Sequence, residues 1–250
     1  MKNYGLIGYP LGHSFSESYF KDKFLREGIR DTTYENYPIS TIDEFPGLIK
    51  NSPFLYGLNV TIPYKKVIIR YLDYIDKEAD EAGAVNVIKI IRQNGNVILK
   101  GYNTDIYGFR ESLKNYISEN VRRALVLGTG GSSAAVTCVL RQLNIDFIYV
   151  SRSDGKNTVR YSDLNEEIIA SHLLIINTTP LGMYPETDQK PSIPYKALSK
   201  HHILFDLIYN PPETLFLREG RKAGCITVNG LEMLKLQADK SWEIWNDPTY

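Results

Sequence analysis

Ala124-Leu125-Val126-Leu127-Gly128-Thr129-Gly130-Gly131-Ser132-Ser133 is the stretch that decides the fold. Four apolar residues read as a buried strand, the glycines as a tight turn, and Ser132–Leu143 as a helix. Strand, glycine turn and helix in that order form the dinucleotide fingerprint. Gly128 makes the turn, Gly130 and Gly131 let backbone approach a pyrophosphate, and the helix opening at Ser132 offers it free N–H groups. Ser133 takes the place of the usual third glycine and is still small enough for close helix–strand packing. The bland alternative is a turn that only connects two elements.

The next strand, Asp146–Val150, ends in Ser151-Arg152-Ser153. An NAD site would offer an acidic group there for the ribose 2′-OH. Arg152 can instead pair with a 2′-phosphate, Ser153 can donate to it, and Lys156 offers a second cation. NADP is therefore the expected cofactor; a solvated surface arginine is the alternative.

Outward from this unit, short apolar runs alternate with helical patterns along all 250 residues. Towards the N-terminus, Tyr4–Gly8, Thr33–Tyr37, Tyr56–Val60, Ala84–Ile91 and Val97–Tyr102 read as strands, the last two joined at Asn94-Gly95, a strong hairpin signal. Ser16–Glu27, Thr41–Asn51, a segment opened by Pro63, and Asp105–Ile117 read as helices. Leu173–Ile176, Ile203–Leu207 and Ile226–Val228 are the later strands, followed by an amphipathic helix, Leu231–Trp245. The expected fold is α/β with two domains: an N-terminal mixed-sheet substrate domain over 1–104, to which a C-terminal helix (231–250) returns, and a Rossmann-type dinucleotide-binding domain over 105–230. Gly101, Gly108 and Gly230 sit near the chain crossings and suggest a hinge.

Composition excludes other classes. Lysine plus arginine and aspartate plus glutamate both number 29, so the basic excess of a nucleic-acid binder is missing. No apolar stretch approaches the roughly 18 residues of a membrane span. Met1–Gly5 enters a strand at once, without the charge and apolar run of a signal peptide. Cys138 and Cys225 lie far apart and outside any ligand pattern, so both read as reduced, buried thiols of a cytoplasmic protein. The four histidines form no metal spacing, and no metal is expected.

Polar clusters end the first-half elements: His13-Ser14-Phe15-Ser16, Asn59-Val60-Thr61-Ile62-Pro63-Tyr64-Lys65, Asn86, and Gly101-Tyr102-Asn103-Thr104-Asp105. Ligands collect at strand ends in open sheets. Singly, each cluster has a structural alternative: Ser14, Ser16 and Thr61 can cap helices, Asp105 can be an N-terminal helix charge, and Lys65 can be a solvated lysine. Together they suit a small polyol acid.

With Asn177-Thr178-Thr179-Pro180-Leu181-Gly182-Met183, Asp206-Leu207-Ile208-Tyr209-Asn210-Pro211 and Gly230-Leu231-Glu232-Met233-Leu234 plus Gln237, these motifs make the chain resemble the shikimate dehydrogenase family over essentially its whole length. The resemblance implies NADPH-dependent reduction of 3-dehydroshikimate to shikimate, a step of chorismate and aromatic amino-acid biosynthesis. It implies Lys65 and Asp105 as the catalytic pair. Ser14 and Ser16 would hold the substrate carboxylate, with Tyr209 nearby, and Asn59, Thr61, Asn86 and Gln237 would surround the ring hydroxyls. Gly128, Gly130, Gly131, Arg152 and Ser153 match the NADP site; Thr178 and Gly230 match its nicotinamide end. Lys65, in the first turn of the helix expected after Pro63, would feel a positive helix end that favours its neutral amine, opposed by Asp105. Monomer and homodimer are both compatible with the sequence.

Two departures stand out. Ser151 replaces a common asparagine, and Ser153–Arg160 is short and polar where relatives carry a crossover helix, which unsettles the placement of Lys156. The rival readings are a quinate/shikimate dehydrogenase of broader use and a non-catalytic NADP- or shikimate-binding sensor.

Overall fold

The computed structural model describes residues 1–12 and 14–250; His13 of the quoted His13–Ser16 run lies outside the described residues. The chain forms two compact units, Met1–Thr104 with Ala238–Tyr250, and Asp105–Gln237.

The first unit contains β1 (Lys2–Gly8), α1 (Phe15–Arg26), β2 (Thr32–Pro38), α2 (Phe45–Asn51), β3 (Leu55–Val60), β4 (Tyr74–Ile75), α3 (Lys77–Ala82), β5 (Val87–Gln93) and β6 (Asn96–Tyr102). Its sheet has the order β2-β1-β3-β5-β6-β4. β1 pairs in parallel with β2 and β3, whereas β5 is antiparallel to both β3 and β6, so the sheet is mixed. Asn94 and Gly95 both take positive φ, which turns β5 into β6.

The chain then runs through α4 (Thr104–Leu113) into β7 (Arg123–Leu127), α5 (Gly131–Gln142), β8 (Asp146–Ser151), β9 (Thr158–Arg160), α6 (Glu166–Ser171), β10 (Leu174–Asn177), β11 (Ile203–Asp206), α7 (Leu215–Lys222), β12 (Ile226–Val228) and α8 (Leu231–Asn246). The order β12-β11-β10-β7-β8-β9, parallel throughout, is the doubly wound arrangement. Its switch point lies between β7 and β10, beside the glycine loop.

Strand alternation divides the first unit's core. Leu58, Val60, Ile88 and Ile90 face one cluster, which contains Phe45 and Ile68. Tyr4, Leu6 and Val87 face the other, which holds Phe20, Phe24, Ala238 and Trp245. Gly57 opens room for Trp245, whose indole would sit 2.4 Å from a Cβ placed there. Trp245 stacks on Tyr4 with ring centres 4.9 Å apart and donates from Nε1 to the Ile88 carbonyl. Lys89 Nζ donates to the carbonyls of Ile244 (2.9 Å) and Asp247 (2.6 Å), satisfying the C-terminal end of α8.

Two expectations need correcting, the helix after Pro63 and the burial of Cys225. Pro63 opens no helix: residues 62–66 are turns, and a 3₁₀ helix follows at Val67–Tyr71. The Lys65 carbonyl accepts from Val85 N (2.8 Å), and Lys65 precedes the 3₁₀ helix instead of lying in a first α-helical turn. The division between the two compact units falls inside α8, at Gln237/Ala238. The start of α8 packs on α4, where Gly108 meets the Met233 carbonyl and Gln237, while Ala238 onward joins the first unit's core. Cys225 is only half-buried, with Sγ 3.3 Å from the Ser199 carbonyl. Gly101, Gly108 and Gly230 have no room for a side chain: an added Cβ would lie 2.5 Å from Leu72, 2.6 Å from the Met233 carbonyl and 2.1 Å from the Leu207 carbonyl, respectively. Among the described residues, no helix is long and apolar enough to cross a membrane.

Candidate active site

Within the first unit, the sequence-picked polar residues meet in a buried chain of hydrogen bonds. Asn59, from β3, accepts from Tyr34 Oη (2.8 Å) and donates to Ser241 Oγ of α8 (3.0 Å). Ser241 Oγ lies 3.2 Å from Thr104 Oγ1. Asn86 Oδ1 accepts from Thr104 N (2.7 Å), and Asn86 Nδ2 donates to Thr104 Oγ1 (3.1 Å). Asn103 Nδ2 ties to the Ala84 carbonyl (2.8 Å). Such a network is stable only when its members are partnered, as these are. Tyr34 and Ser241 are members that the sequence did not single out, and Thr104 enters there only within the Gly101–Asp105 run. Period 2 along β3 puts Asn59 on the α8 face with Gly57, and helical spacing brings Ser241 to it. What hides them is separation along the chain.

Ser14 caps α1: its Oγ accepts from Glu17 N (3.1 Å) and donates to Asn36 Oδ1 (2.9 Å). The helix-capping alternative is thus realised for Ser14, with the hydroxyl still half-exposed. Ser16 lies against the Tyr34 hydroxyl, whose acidity burial suppresses. Thr61 caps no helix; its N–H bonds the Ile7 carbonyl and its carbonyl accepts from Tyr64 N. Tyr64 Oη anchors the following turn to the Ile39 carbonyl (2.6 Å), and the Lys65 carbonyl joins it to Val85, beside Asn86. Lys65 is partly exposed.

The second unit holds the other group. Gly128 takes φ +103°, a backbone that suits glycine, and a Cβ there would press on Thr178 and Thr179. Gly130 is the N-cap of α5, with no side-chain cap and open space where its Cβ would be. Uncapped N–H groups, no bulk and a positive helix end make a cradle that fits a pyrophosphate. Gly131 and Ser132 are the first residues of α5. Ser133 is buried and bonds the Gly130 carbonyl (2.6 Å), so the small residue serves as the packing contact a glycine gives elsewhere. Thr178 donates to the Leu127 carbonyl (2.7 Å) and joins the end of β10 to the end of β7. Gly230 N bonds the Ile208 carbonyl (3.0 Å).

Arg152 and Ser153 are exposed just past the end of β8. Thr158 pairs with Tyr149 and Arg160 with Ser151. Lys156 therefore lies back along β8, away from Arg152, while Arg160 stands level with the strand end. Arg160 is held by Asp154, with Nε 2.6 Å from Oδ1. Arg160 is a cation the sequence reading passed over, and only the strand register reveals it.

Asp105 is the second residue of α4 and is buried, as is Gln237 of α8, whose Nε2 donates to the Leu234 carbonyl (3.0 Å). Tyr209 follows β11, with its hydroxyl made less acidic by burial. Beneath it, Asp206 is fully buried and accepts from Thr214 Oγ1 (2.6 Å), Asn177 Nδ2 (3.0 Å) and Ile208 N (3.1 Å). Burial pushes its carboxyl up to about 6 against those three bonds. Asn177 Oδ1 accepts in turn from Thr179 N and Oγ1, so Asp206 fixes the loop that carries Thr178.

The sequence profile of the shikimate dehydrogenase substrate binding domain matches residues 6–88. The NADP(+) shikimate dehydrogenase of Methanococcus aeolicus is 40% identical over 96% of this chain and 90% of its own length. The crystal structure of the Aquifex aeolicus shikimate dehydrogenase superposes with a TM-score of 0.86 at 32% identity, over 98% of this chain and 92% of that one. A Thermus thermophilus shikimate 5-dehydrogenase, in complex with NADP(H) and shikimate, gives 0.84 at 28% identity, over 98% and 94%. Similarity of this extent, spanning both the polar network and the glycine cradle, places the chain in the shikimate dehydrogenase family.

Proposed function

We propose that this protein reduces 3-dehydroshikimate to shikimate with NADPH, in the route to chorismate and the aromatic amino acids. The observation that carries the reading is 40% identity, over 96% of the chain, to an NADP(+) shikimate dehydrogenase. The uncapped start of α5 and the cation at the end of β8 support the cofactor assignment. Gly128, Gly130, Gly131 and Ser132 would hold the pyrophosphate, Arg152 and Ser153 the 2′-phosphate, and Thr178 and Gly230 the nicotinamide end. Arg160 would join Arg152 by exchanging Asp154 for the phosphate, and Lys156 contributes less.

NADPH, when bound, supplies the hydride. The chain supplies the proton and the positioning. Lys65 donates a hydrogen bond to the ketone oxygen and then a proton to the alkoxide that forms; Asp105 favours and orients the ammonium. Ser14, Ser16 and Tyr209 hold the substrate carboxylate, and Asn59, Thr61, Asn86 and Gln237 meet its hydroxyls. The shared hydrogen bonds of Asn59 and Asn86 fix these amides before substrate arrives, so little ordering remains to be done on binding. Zero net charge supports a small-molecule role without nucleic acid, and the two unpaired thiols support a cytoplasmic location. The working form is a monomer or a homodimer.

The test is an absorbance assay of 3-dehydroshikimate with NADPH and with NADH in parallel, and of quinate with NAD. Fast oxidation of NADPH and slow oxidation of NADH are expected. Equal turnover of quinate would make it the broader dehydrogenase. Binding of both ligands without turnover would make it a sensor.

A further inference from the structure

The second sheet has a far edge, opposite the glycine loop, where β7 and β8 begin. There Arg123, Arg141, Asp146 and His172 line a cavity of about 680 Å³, within the range of small-molecule sites. Arg123 opens β7 and Arg141 lies in the last turn of α5. The Arg141 guanidinium is 5.4 Å from the centre of the Phe147 ring, which positions it without using its N–H donors. Among the described residues neither guanidinium makes an ion pair or a hydrogen bond. Asp146 faces the same space but pairs with neither of them.

His172 also lines the cavity. Its Nδ1 is committed to the Ile168 carbonyl (2.7 Å) and lies 3.1 Å from Ser171 Oγ. Nε2 bonds no protein atom among the described residues. The remaining lining includes Ile145, Phe147 and Ile148, an apolar floor beneath the cations. It stays uncovered because β9 pairs only with Tyr149–Ser151, which leaves the outer edge of Asp146–Ile148 without a strand. Arg152 closes the opposite end of the same strands, roughly 16 Å away at about 3.3 Å per residue, so the two sites are separate.

We propose that this cavity binds a small-molecule oxyanion, a carboxylate or phosphate group carried on an apolar ring. Arg123 and Arg141 grip the oxyanion, the ring lies on the Phe147 side of the floor, and His172, whose Nδ1 proton is spent on Ile168, lines the cavity without donating to the anion. Two guanidiniums that line one cavity without a carboxylate partner leave its potential positive, and an oxyanion between them neutralises it.

The test titrates the full chain, with and without NADP, with benzoate and separately with phenyl phosphate. The His172 ring and the amides of Asn144 and Phe147 are followed by NMR. Saturable shifts at these groups are expected, and whichever probe saturates first distinguishes a carboxylate from a phosphate ligand. Arg123→Gln or Arg141→Gln should each weaken binding roughly tenfold, and the double variant roughly a hundredfold. Arg141→Lys keeps the charge without the fork and should fall in between. Both side chains are exposed, so the variants should fold, and their KM for NADPH should not move. No saturable shift with either probe, shifts that persist in the double variant, or shifts centred on Ser153 would overturn the proposal.

Discussion

The two units present their polar groups in opposite ways. In the first, side chains from Tyr34, Asn59, Asn86, Thr104 and Ser241 come from five places along the chain and bond one another in the interior. In the second, the cradle is main chain: a positive-φ glycine, an uncapped helix start and a glycine pressed against a carbonyl. The first is therefore damaged by removing atoms and the second by adding them. Bonded amides hold a fixed pattern for a polyol, whereas bare backbone admits a bulky phosphate.

The largest effect expected is on rate. Lys65→Ala should lower kcat by roughly 10²–10⁴-fold and leave the melting temperature where it is, because the turn is held by the Lys65 carbonyl and the Tyr64 hydroxyl. Steady-state kinetics beside a thermal melt separates the two effects; an unchanged kcat removes Lys65 from the chemistry. Gly230→Ala should act on stability first. A Cβ 2.1 Å from the Leu207 carbonyl has nowhere to go, and overpacking of this kind costs about 3 kcal/mol. Denaturant melts check it, and a stability loss no larger than that of Gly130→Ala, where space is open, would break the contrast between the glycines.

Much of this was legible in the sequence, and the failures have physical causes. β7, α5 and β8 were readable because strand, glycine turn and helix each obey a local rule. α3 and α6 were missed although their signals are local. Asp76 and Asn165 cap them, and Gly83 ends α3 at φ +63°, but six residues are too few for a periodic pattern. The helix expected after Pro63 failed because Val85, 20 positions beyond Lys65, takes the Lys65 carbonyl. The same limit hid Ser241 and Arg160: one becomes relevant when α8 packs on β3, the other when β9 adopts its register with β8. Contacts that tertiary structure makes between distant positions leave no periodicity to read.

Asp206 sharpens the comparison, since it is a buried side chain supporting the backbone-built unit. Its folded carboxyl titrates near 6, above the ordinary 3.8, because burial disfavours the charge. Between those values the folded state binds the extra proton, so this group's contribution to stability is greatest below about 4 and is lost as pH rises through 6. The size is about 3 kcal/mol, from 1.36 kcal/mol per unit. Asp206→Asn keeps the shape and, through its one carbonyl oxygen, the bonds from Asn177 and Ile208, with the Thr214 contact reversed so that the amide donates; it should flatten stability between pH 4 and 6. Parallel urea melts of the two proteins test this; parallel curves would mean that the three hydrogen bonds, and not burial, set the Asp206 charge.

Ser241→Ala is the smallest change and the most direct probe of the side-chain network. It removes one acceptor for Asn59 Nδ2 and one partner of Thr104 Oγ1, at a cost of about 1 kcal/mol for the lost bonds. Because Asn59 Nδ2 then keeps only the Asn86 carbonyl at 3.4 Å, with Oδ1 still held by Tyr34, its amide gains freedom that substrate must remove on binding. KM for shikimate should rise while KM for NADPH stays put, since the cradle owes nothing to Ser241. Ser241→Thr, which retains the hydroxyl, should recover part of the loss. An equal rise in both KM values would mean that the network supports the fold alone, and the division between a side-chain site and a backbone site would fail at its first unit.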